Sequence, residues 1–154
     1  MAALREAQGE HAQEIRREGA LLDPDAALDG PVAPAGDYLC RTIKLGGQNE
    51  ALPDWAEYPK YRCRIRESGG RLTFARLGGS QRPVGSLYPG GMRRMIFLGS
   101  MAVGDERQAL PYSGDADRDM AGILERIGDN RWRLVFPRPT FESIIDVVEL
   151  VPVS

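Results

Sequence analysis

From residue 36 onward, apolar and polar side chains alternate along the chain, and this alternation constrains the fold more than any other feature of the sequence. In residues 61–66 the odd positions are Tyr, Cys and Ile, and the even positions are all Arg. A period of two places successive side chains on opposite faces of an extended strand. Strands with one apolar and one polar face are typical of an antiparallel sheet that buries one side.

Turn-forming residues separate the alternating stretches from one another. The sequences "ESGGR" and "GDNR" are typical of tight hairpins, because Gly and Asn accept a positive φ. The pattern predicts eight strands, with long connections at 46–59 and 104–119. The strands are expected at residues 37–45, 60–67, 70–77, 82–88, 93–102, 120–127, 131–136 and 143–151.

Eight consecutive strands joined mostly by hairpins predict an all-β fold, an antiparallel up-and-down barrel of the calycin or lipocalin kind. Such a barrel closes on itself and leaves no open sheet edge. An interior of this size is filled by side chains or holds one small ligand. The side chains expected to face inward are Leu72, Phe74, Met95, Phe97, Met101, Trp132, Leu134 and Phe136.

The first 35 residues follow a different pattern from the rest of the chain. Apolar residues recur at helical spacing over residues 2–18, and a Pro-, Gly- and Asp-rich stretch follows. We therefore expect a helix and arm in residues 1–35 and a barrel domain in residues 36–154. His11 is the only histidine and lies on this helix. A catalytic Ser-His or Cys-His arrangement is therefore not expected unless the helix docks over the barrel.

The charge is small overall and unevenly distributed. The chain has a formal net charge of -2, while residues 31–104 alone carry a net +6. The overall charge does not indicate nucleic-acid binding, and the basic middle fits either an anionic ligand or solvated strand faces. The chain contains no apolar run long enough to span a membrane. The first thirty residues lack the apolar core of a signal peptide, which as written favours a cytoplasmic location.

The two cysteines, Cys40 and Cys63, fall on the apolar faces of the first two predicted strands. Because those strands should be neighbours, the thiols can form a disulfide or remain as two reduced core cysteines. A bond would stabilise the fold by about 3 kcal/mol through loop closure. The residues alone leave both alternatives open.

No metal or cofactor is expected from the sequence. The two cysteines have no nearby histidine to complete a zinc site. Asp115, Asp117 and Asp119 have the spacing of a calcium loop, but Met120 stands where that loop needs glycine. The stretch "GGSQRPVG" at 78–85 offers an anion cradle of backbone amides and Arg82, but the sequence favours a plain hairpin loop with a proline at a strand edge.

The leading prediction of function is a non-enzymatic barrel that binds a small or polar ligand at its mouth. The architecture and the lack of a catalytic set motivate it, although fold alone supports function only by analogy. The candidate ligand-binding residues are polar and aromatic groups near strand ends. They are Arg41, Lys44, Arg82, Tyr88 and Trp132.

Two further functions remain open from the sequence. One is an interaction or inhibitor protein that uses the 46–59 loop, with Trp55 and Tyr58 as exposed anchors. The other is an enzyme that uses the carboxyl group of Glu125 or Asp146, which would need a raised pKa in an open cleft.

Four stretches together resemble one proteobacterial family. They are "GDYLCRTIKLG", "GSQRPVGSLYP", "RDMAGILERIGDNRWRLVFPRP" and "FESIIDVVELVP". The combination is similar to the domain of unknown function 4893, over nearly the whole chain. The resemblance implies no activity or catalytic residue. It does imply exported proteins with a signal sequence, and hence a periplasmic envelope protein, its partner either a small molecule or another envelope protein. In that compartment a Cys40–Cys63 disulfide is favoured.

Overall fold

Nine strands and one short helix are present in the residues that the computed structural model describes, which are 12–47, 55–103, 119–137 and 143–153. The helix is α1 (Ala12–Glu18), and a 3₁₀ turn at Gly19–Leu22 follows it. The predicted helix residues 2–11, including His11, lie outside the described residues. The strands are β1 (Gly36–Gly47), β2 (Trp55–Glu57), β3 (Tyr61–Ser68), β4 (Arg71–Leu77), β5 (Gln81–Pro89), β6 (Met95–Val103), β7 (Asp119–Gly128), β8 (Arg131–Pro137) and β9 (Ser143–Pro152).

The strands form a closed, antiparallel barrel of eight strands with one extra strand, as the alternation predicts. From β3 to β9 each strand pairs with its neighbour in sequence. The barrel closes where β1 pairs with β9, from Tyr38 opposite Pro152 to Gly47 opposite Ser143. Because the first and last barrel strands pair, their backbone donors and acceptors do not remain as an open edge.

The extra strand, β2, shares an edge of β1 with β3. The first half of β1 pairs with β3, up to Cys40 opposite Tyr61. The second half pairs with β2, where Leu45 lies opposite Trp55. The sequence analysis assigned residues 55–57 to a connection, and the structure corrects this. Three residues are too few to show a period of two.

The barrel interior is a packed core made by the inward side of the alternation. All eight side chains predicted to face inward belong to or pack against it. Aromatic rings fill the middle of the barrel, with Phe97 edge-on to Phe74 at 6.1 Å and to Phe136 at 5.3 Å between ring centroids. Such edge-to-face pairs stabilise beyond the area they bury.

Glycine makes room for these rings where β5 and β6 approach each other. Gly85 lies directly opposite Gly99. A Cβ on Gly99 would overlap the carbonyl oxygen of Val84 and lie 2.6 Å from the Cα of Gly85. A Cβ on Gly85 would lie 2.7 Å from the ring of Phe97. The layer of aromatic rings in the middle of the barrel therefore depends on the absence of side chains at Gly85 on β5 and Gly99 on β6.

One end of the barrel is closed by the arm that precedes β1. Ala33 is fully buried in the core. The indole nitrogen of Trp132 donates to the carbonyl of Pro31 at 3.1 Å, and the Tyr38 hydroxyl donates to the carbonyl of Pro34 at 2.5 Å. Burial raises the pKa of Tyr38 to about 12, which is consistent with a phenol held in a closed interior. We call this end the closed end.

The outer face of the barrel holds the N-terminal segment through a buried arginine. Arg133 is only 3% exposed and pairs with Glu125 at 2.9 Å. Its Nη1 donates to the carbonyls of Ala20, Leu21 and Asp23 at 3.1, 3.1 and 2.6 Å. These carbonyls end the 3₁₀ turn, where backbone acceptors otherwise lack partners. The turn thereby packs its leucines against the outside of β1, β7 and β9.

We predict that replacing Gly99 with Ala lowers the free energy of unfolding by about 1–3 kcal/mol, because the added methyl group overpacks the contact between β5 and β6. Urea denaturation measures this change. The matched control is Gly128→Ala, where the nearest atom to the new Cβ is the Cβ of Arg131 at 3.4 Å. Equal stability of the two variants would contradict the close approach of the strands.

Candidate functional site

A cavity lies inside the barrel at the end opposite the closed end. It is reached where β1 and β8 end and where β5 and β9 begin. The packed aromatic layer forms the base of the cavity, because Phe136 belongs both to that layer and to the cavity lining. The cavity has a volume of about 290 Å³, near the lower end of the range of about 300–1,000 Å³ that is typical of ligand pockets.

The side chains that line the cavity divide into a polar group and an apolar group. The polar lining is Thr42, Lys44, Tyr58, Tyr61, Arg76, Ser80, Gln81 and Asp146, and the apolar lining is Pro83, Met101, Met120, Phe136 and Val148. Ligand cavities in proteins typically combine an apolar surface with a few convergent polar groups. We therefore treat this cavity as the candidate site.

A lysine and an aspartate face each other across β1 and β9 at the cavity. Lys44 is directly opposite Asp146 in the strand register, and the Nζ atom lies 4.0 Å from the Oδ2 atom. The same ammonium group lies 5.5 Å from the centroid of the Tyr58 ring. The side chains of Lys44 and Asp146 are 15% and 11% exposed, so the pair is largely removed from solvent, and the attraction between the charges offsets part of their desolvation cost.

A hydrogen bond between two hydroxyl groups joins β1 and β3 at the cavity. The hydroxyl groups of Tyr61 and Thr42 form a hydrogen bond. Burial raises the pKa of Tyr61 above its ordinary value, and the neighbouring Cys63 adds to the effect. The phenol is therefore neutral at physiological pH and is available as a hydrogen-bonding group in the cavity wall.

Arg76 is held in place by its neighbours in the fold. Its guanidinium carbon lies 3.8 Å from the centroid of the Tyr61 ring, a cation–π contact. Its Nε donates to the carbonyl of Gly78 at 3.2 Å. A Cβ on Gly79 would lie 2.6 Å from its Nη2 atom, so the glycine turn leaves space for the guanidinium. The side chain is thus positioned by a ring, a carbonyl and a turn.

Sequence analysis did not select Arg76, although a signal for it exists. The alternation in β4 places residue 76 on the same inward face as Leu72 and Phe74. An inward arginine at the end of a barrel strand lies at the mouth. The anion cradle considered for residues 78–85 was instead assigned to Arg82.

Of the five predicted ligand residues, Lys44 is the one that lines the cavity. Arg82 lies on the outward side of β5 and donates to the carbonyl of Gly79 at 2.6 Å. Tyr88 is also on the outside, with Arg71 over its ring at 5.6 Å. Trp132 is in the core at the closed end. The structure therefore does not bring Arg82, Tyr88 or Trp132 to the cavity. The same holds for Arg41, the remaining predicted ligand residue.

Arg41 lies on the outer face of β1, within a cluster of charges. It donates to both carboxylate oxygens of Glu18 in α1, and its Nε is 3.4 Å from Glu149. Arg131 bonds the other oxygen of Glu149 at 2.7 Å. The bond with Glu18 is the main cause that raises the pKa of Arg41. In this cluster Arg41 links the helix to the barrel.

The two predicted loop anchors are both part of the folded structure. Trp55 is in β2, half-buried against the outer apolar cluster. Tyr58 is 38% exposed and lines the cavity. Residues 48–54 of the loop lie outside the described residues, so an interaction surface there stays a prediction.

Cys40 and Cys63 lie side by side beneath the cavity as free, buried thiols. Cys40 is opposite Tyr61, and Cys63 is opposite Tyr38, so the two cysteines are diagonal neighbours across β1 and β3. Diagonal Cα atoms are typically about 7–8 Å apart, just beyond the usual disulfide range of about 4.4–6.8 Å. The two thiols are nevertheless close enough to share a hydrogen bond, so a small shift of the strands would suffice for a bond, and the disulfide stays a prediction.

The carboxyl groups considered for catalysis are engaged with cations. Glu125 is on the outer face with Arg133, and Asp146 is opposite Lys44. Asp115 and Asp117 of the calcium-like spacing lie outside the described residues. Within the four described ranges, no group of three or more His, Cys, Asp or Glu is placed to hold a metal ion. No helix in those ranges is long and apolar enough to cross a membrane.

Fold and cavity together define the class of protein: a small, closed antiparallel β-barrel with a polar cavity at one end. The family described as domain of unknown function DUF4893 matches residues 1–150. The chain therefore belongs to that family, which confirms the resemblance seen in the sequence. No curated protein and no solved structure matches the chain.

We predict that the two thiols of the folded, reduced protein are nearly inert, because both cysteines are at most 1% exposed and a reagent cannot reach them. Burial, and secondly a hydrogen bond with Cys63, raises the pKa of Cys40 far above its ordinary value, and the thiolate is the reactive form. Iodoacetamide labelling followed by intact mass should be at least about tenfold slower in the folded protein than in urea. Equally fast labelling in both states would show that the β1–β3 region opens to solvent.

Proposed function

We propose that this protein is a non-enzymatic binding barrel that holds a small molecule in the cavity at its mouth. The observation that carries the proposal is the cavity of about 290 Å³, with polar groups on one side and methionine and phenylalanine on the other. Buried side chains pack the middle and the closed end of the described barrel, and an eight-stranded barrel can hold one small ligand in the space that remains at its mouth.

The polar contacts of the cavity support binding over catalysis. Asp146 lies opposite Lys44, with its Oδ2 atom 4.0 Å from the Nζ atom, so the carboxylate has a cationic neighbour. The hydroxyls of Thr42 and Tyr61 bond to each other. Nucleophilic catalysis needs a nucleophile with an adjacent base that a third group orients, and no such set is present among the described lining residues.

The methionine methyl groups report directly on the cavity. Met101 and Met120 line it, whereas Met95 is buried at the closed end and Met92 is 76% exposed. We predict that octanol, a small neutral amphiphile, shifts the methyl NMR signals of Met101 and Met120 and leaves those of Met92 and Met95 unchanged. Equal shifts at all four methyl groups would indicate non-specific association and contradict the proposed site.

A matched pair of variants sharpens this experiment. Gln81 lines the cavity at the start of β5, and Arg82 is on the outward side of the same strand. Gln81→Trp adds bulk at the mouth of the cavity and should weaken octanol binding. Arg82→Trp alters no contact inside the cavity, so the dissociation constant should stay within about twofold, because a tenfold change needs about 1.4 kcal/mol of altered contact. Unchanged binding in Gln81→Trp would place the ligand elsewhere.

We also propose that the natural protein works in the cell envelope. The family resemblance implies exported proteins, and the adjacent positions of Cys40 and Cys63 suit a compartment in which disulfides form. Osmotic-shock fractionation of cells that express the natural gene should release the protein with the periplasmic fraction. Its intact mass should be two hydrogens below that of the reduced chain. Recovery from the cytosol with two free thiols would refute the proposal.

A further inference from the structure

We propose that the ligand is an anionic amphiphile, whose carboxylate or phosphate headgroup binds Arg76 and whose apolar body contacts Met101, Met120 and Phe136. This inference rests on the proposed function, because it names the ligand class for the same cavity. It requires a cation with unused donors, a fixed position for that cation, and an apolar surface within reach of it.

The unused donors belong to Arg76. Guanidinium offers five N–H donors, and the Nε donor binds the carbonyl of Gly78. Among the residues that the structure describes, Arg76 has no carboxylate within 4.0 Å, whereas Lys44 has Asp146 at that distance. Arg76 thus lines the cavity, and its Nη1 and Nη2 donors have no acidic partner in the described ranges.

The fixed position comes from the ring below and the turn beside the guanidinium. Stacking on Tyr61 at 3.8 Å covers one face of the planar group and leaves its edge for hydrogen bonds. That edge matches the spacing of two oxygens of a carboxylate or phosphate. Because the turn glycines and the ring already hold the side chain, little rotamer entropy is lost when an anion binds.

The charges and apolar groups of the cavity agree with this ligand. Lys44, Arg76 and Asp146 are the charged residues of the described lining, so the lining has an excess of one positive charge. Met101, Met120 and Phe136 are 7%, 8% and 2% exposed and provide the apolar surface. An anion without an apolar part would leave this surface in contact with water, and burying it favours binding.

The test compares three probes of the same chain length in the methionine NMR titration: octanoate, octyl phosphate and octanol. We expect at least one of the two anions to bind about tenfold or more tightly than octanol, because a charge-assisted hydrogen bond adds about that factor. The stronger of the two anions identifies a carboxylate or a phosphate as the headgroup.

Arg76→Gln should remove the preference and bring the anion to the affinity of octanol. The matched control is Arg82→Gln, which removes a guanidinium from the same hairpin but outside the cavity, and it should keep the preference. If the anions and octanol bind equally to the unmodified protein, the ligand class is wrong while the binding barrel stands. If none of the three binds at Met101 and Met120, the proposed function fails as well.

Ionic strength gives a test that does not depend on the folding of a variant. Raising the salt concentration from about 0.05 to about 0.5 M screens charge interactions. It should weaken binding of the preferred anion several-fold and leave octanol unchanged or slightly stronger. Equal salt dependence of the anion and the alcohol would overturn the role of Arg76.

Discussion

Pairing between β1 and β9 is the interaction on which the rest of the structure depends. It converts a meander of strands into a closed barrel, and closure is what gives the chain an interior. The pairing extends from Tyr38 to Gly47, almost the whole of β1. The opposite edge of β1 is divided between β3 and β2. A single strand thus holds together the closure, the extra strand and the cavity wall.

The alternation of β1 separates two structural roles at neighbouring positions. Thr42 and Lys44 face inward and supply polar groups to the cavity. Arg41 and Ile43 face outward, where the helix and the 3₁₀ turn cover them. The cavity exists at one end because the arm before β1 fills the other end with Ala33 and the aromatic layer fills the middle. The binding proposal therefore follows from uneven filling of a closed barrel.

The barrel and most of its core could be predicted from the sequence, because both depend on a local period of two. The inward positions of Phe97 and Leu134 follow from that period alone. The candidate site was predicted less well, because it depends on partners distant in sequence. In the sequence nothing distinguishes Arg41 from a ligand-binding arginine, and only the structure shows that it binds Glu18. Arg76 could have been found from its inward position, but its stacking on Tyr61 depends on how β3 and β4 pair.

The β1–β9 closure also determines when the protein can fold during its synthesis. The two strands are about a hundred residues apart, and contacts of such high contact order form late and slowly. Until β9 is available to pair, β1 and the free end of the sheet are open edges, which can pair with other chains. Docking of the N-terminal segment on the barrel is also late, because Arg133 on β8 binds its carbonyls. The partly folded chain, in which β1 and β9 have not yet paired, is therefore the state that exposes open sheet edges to other chains.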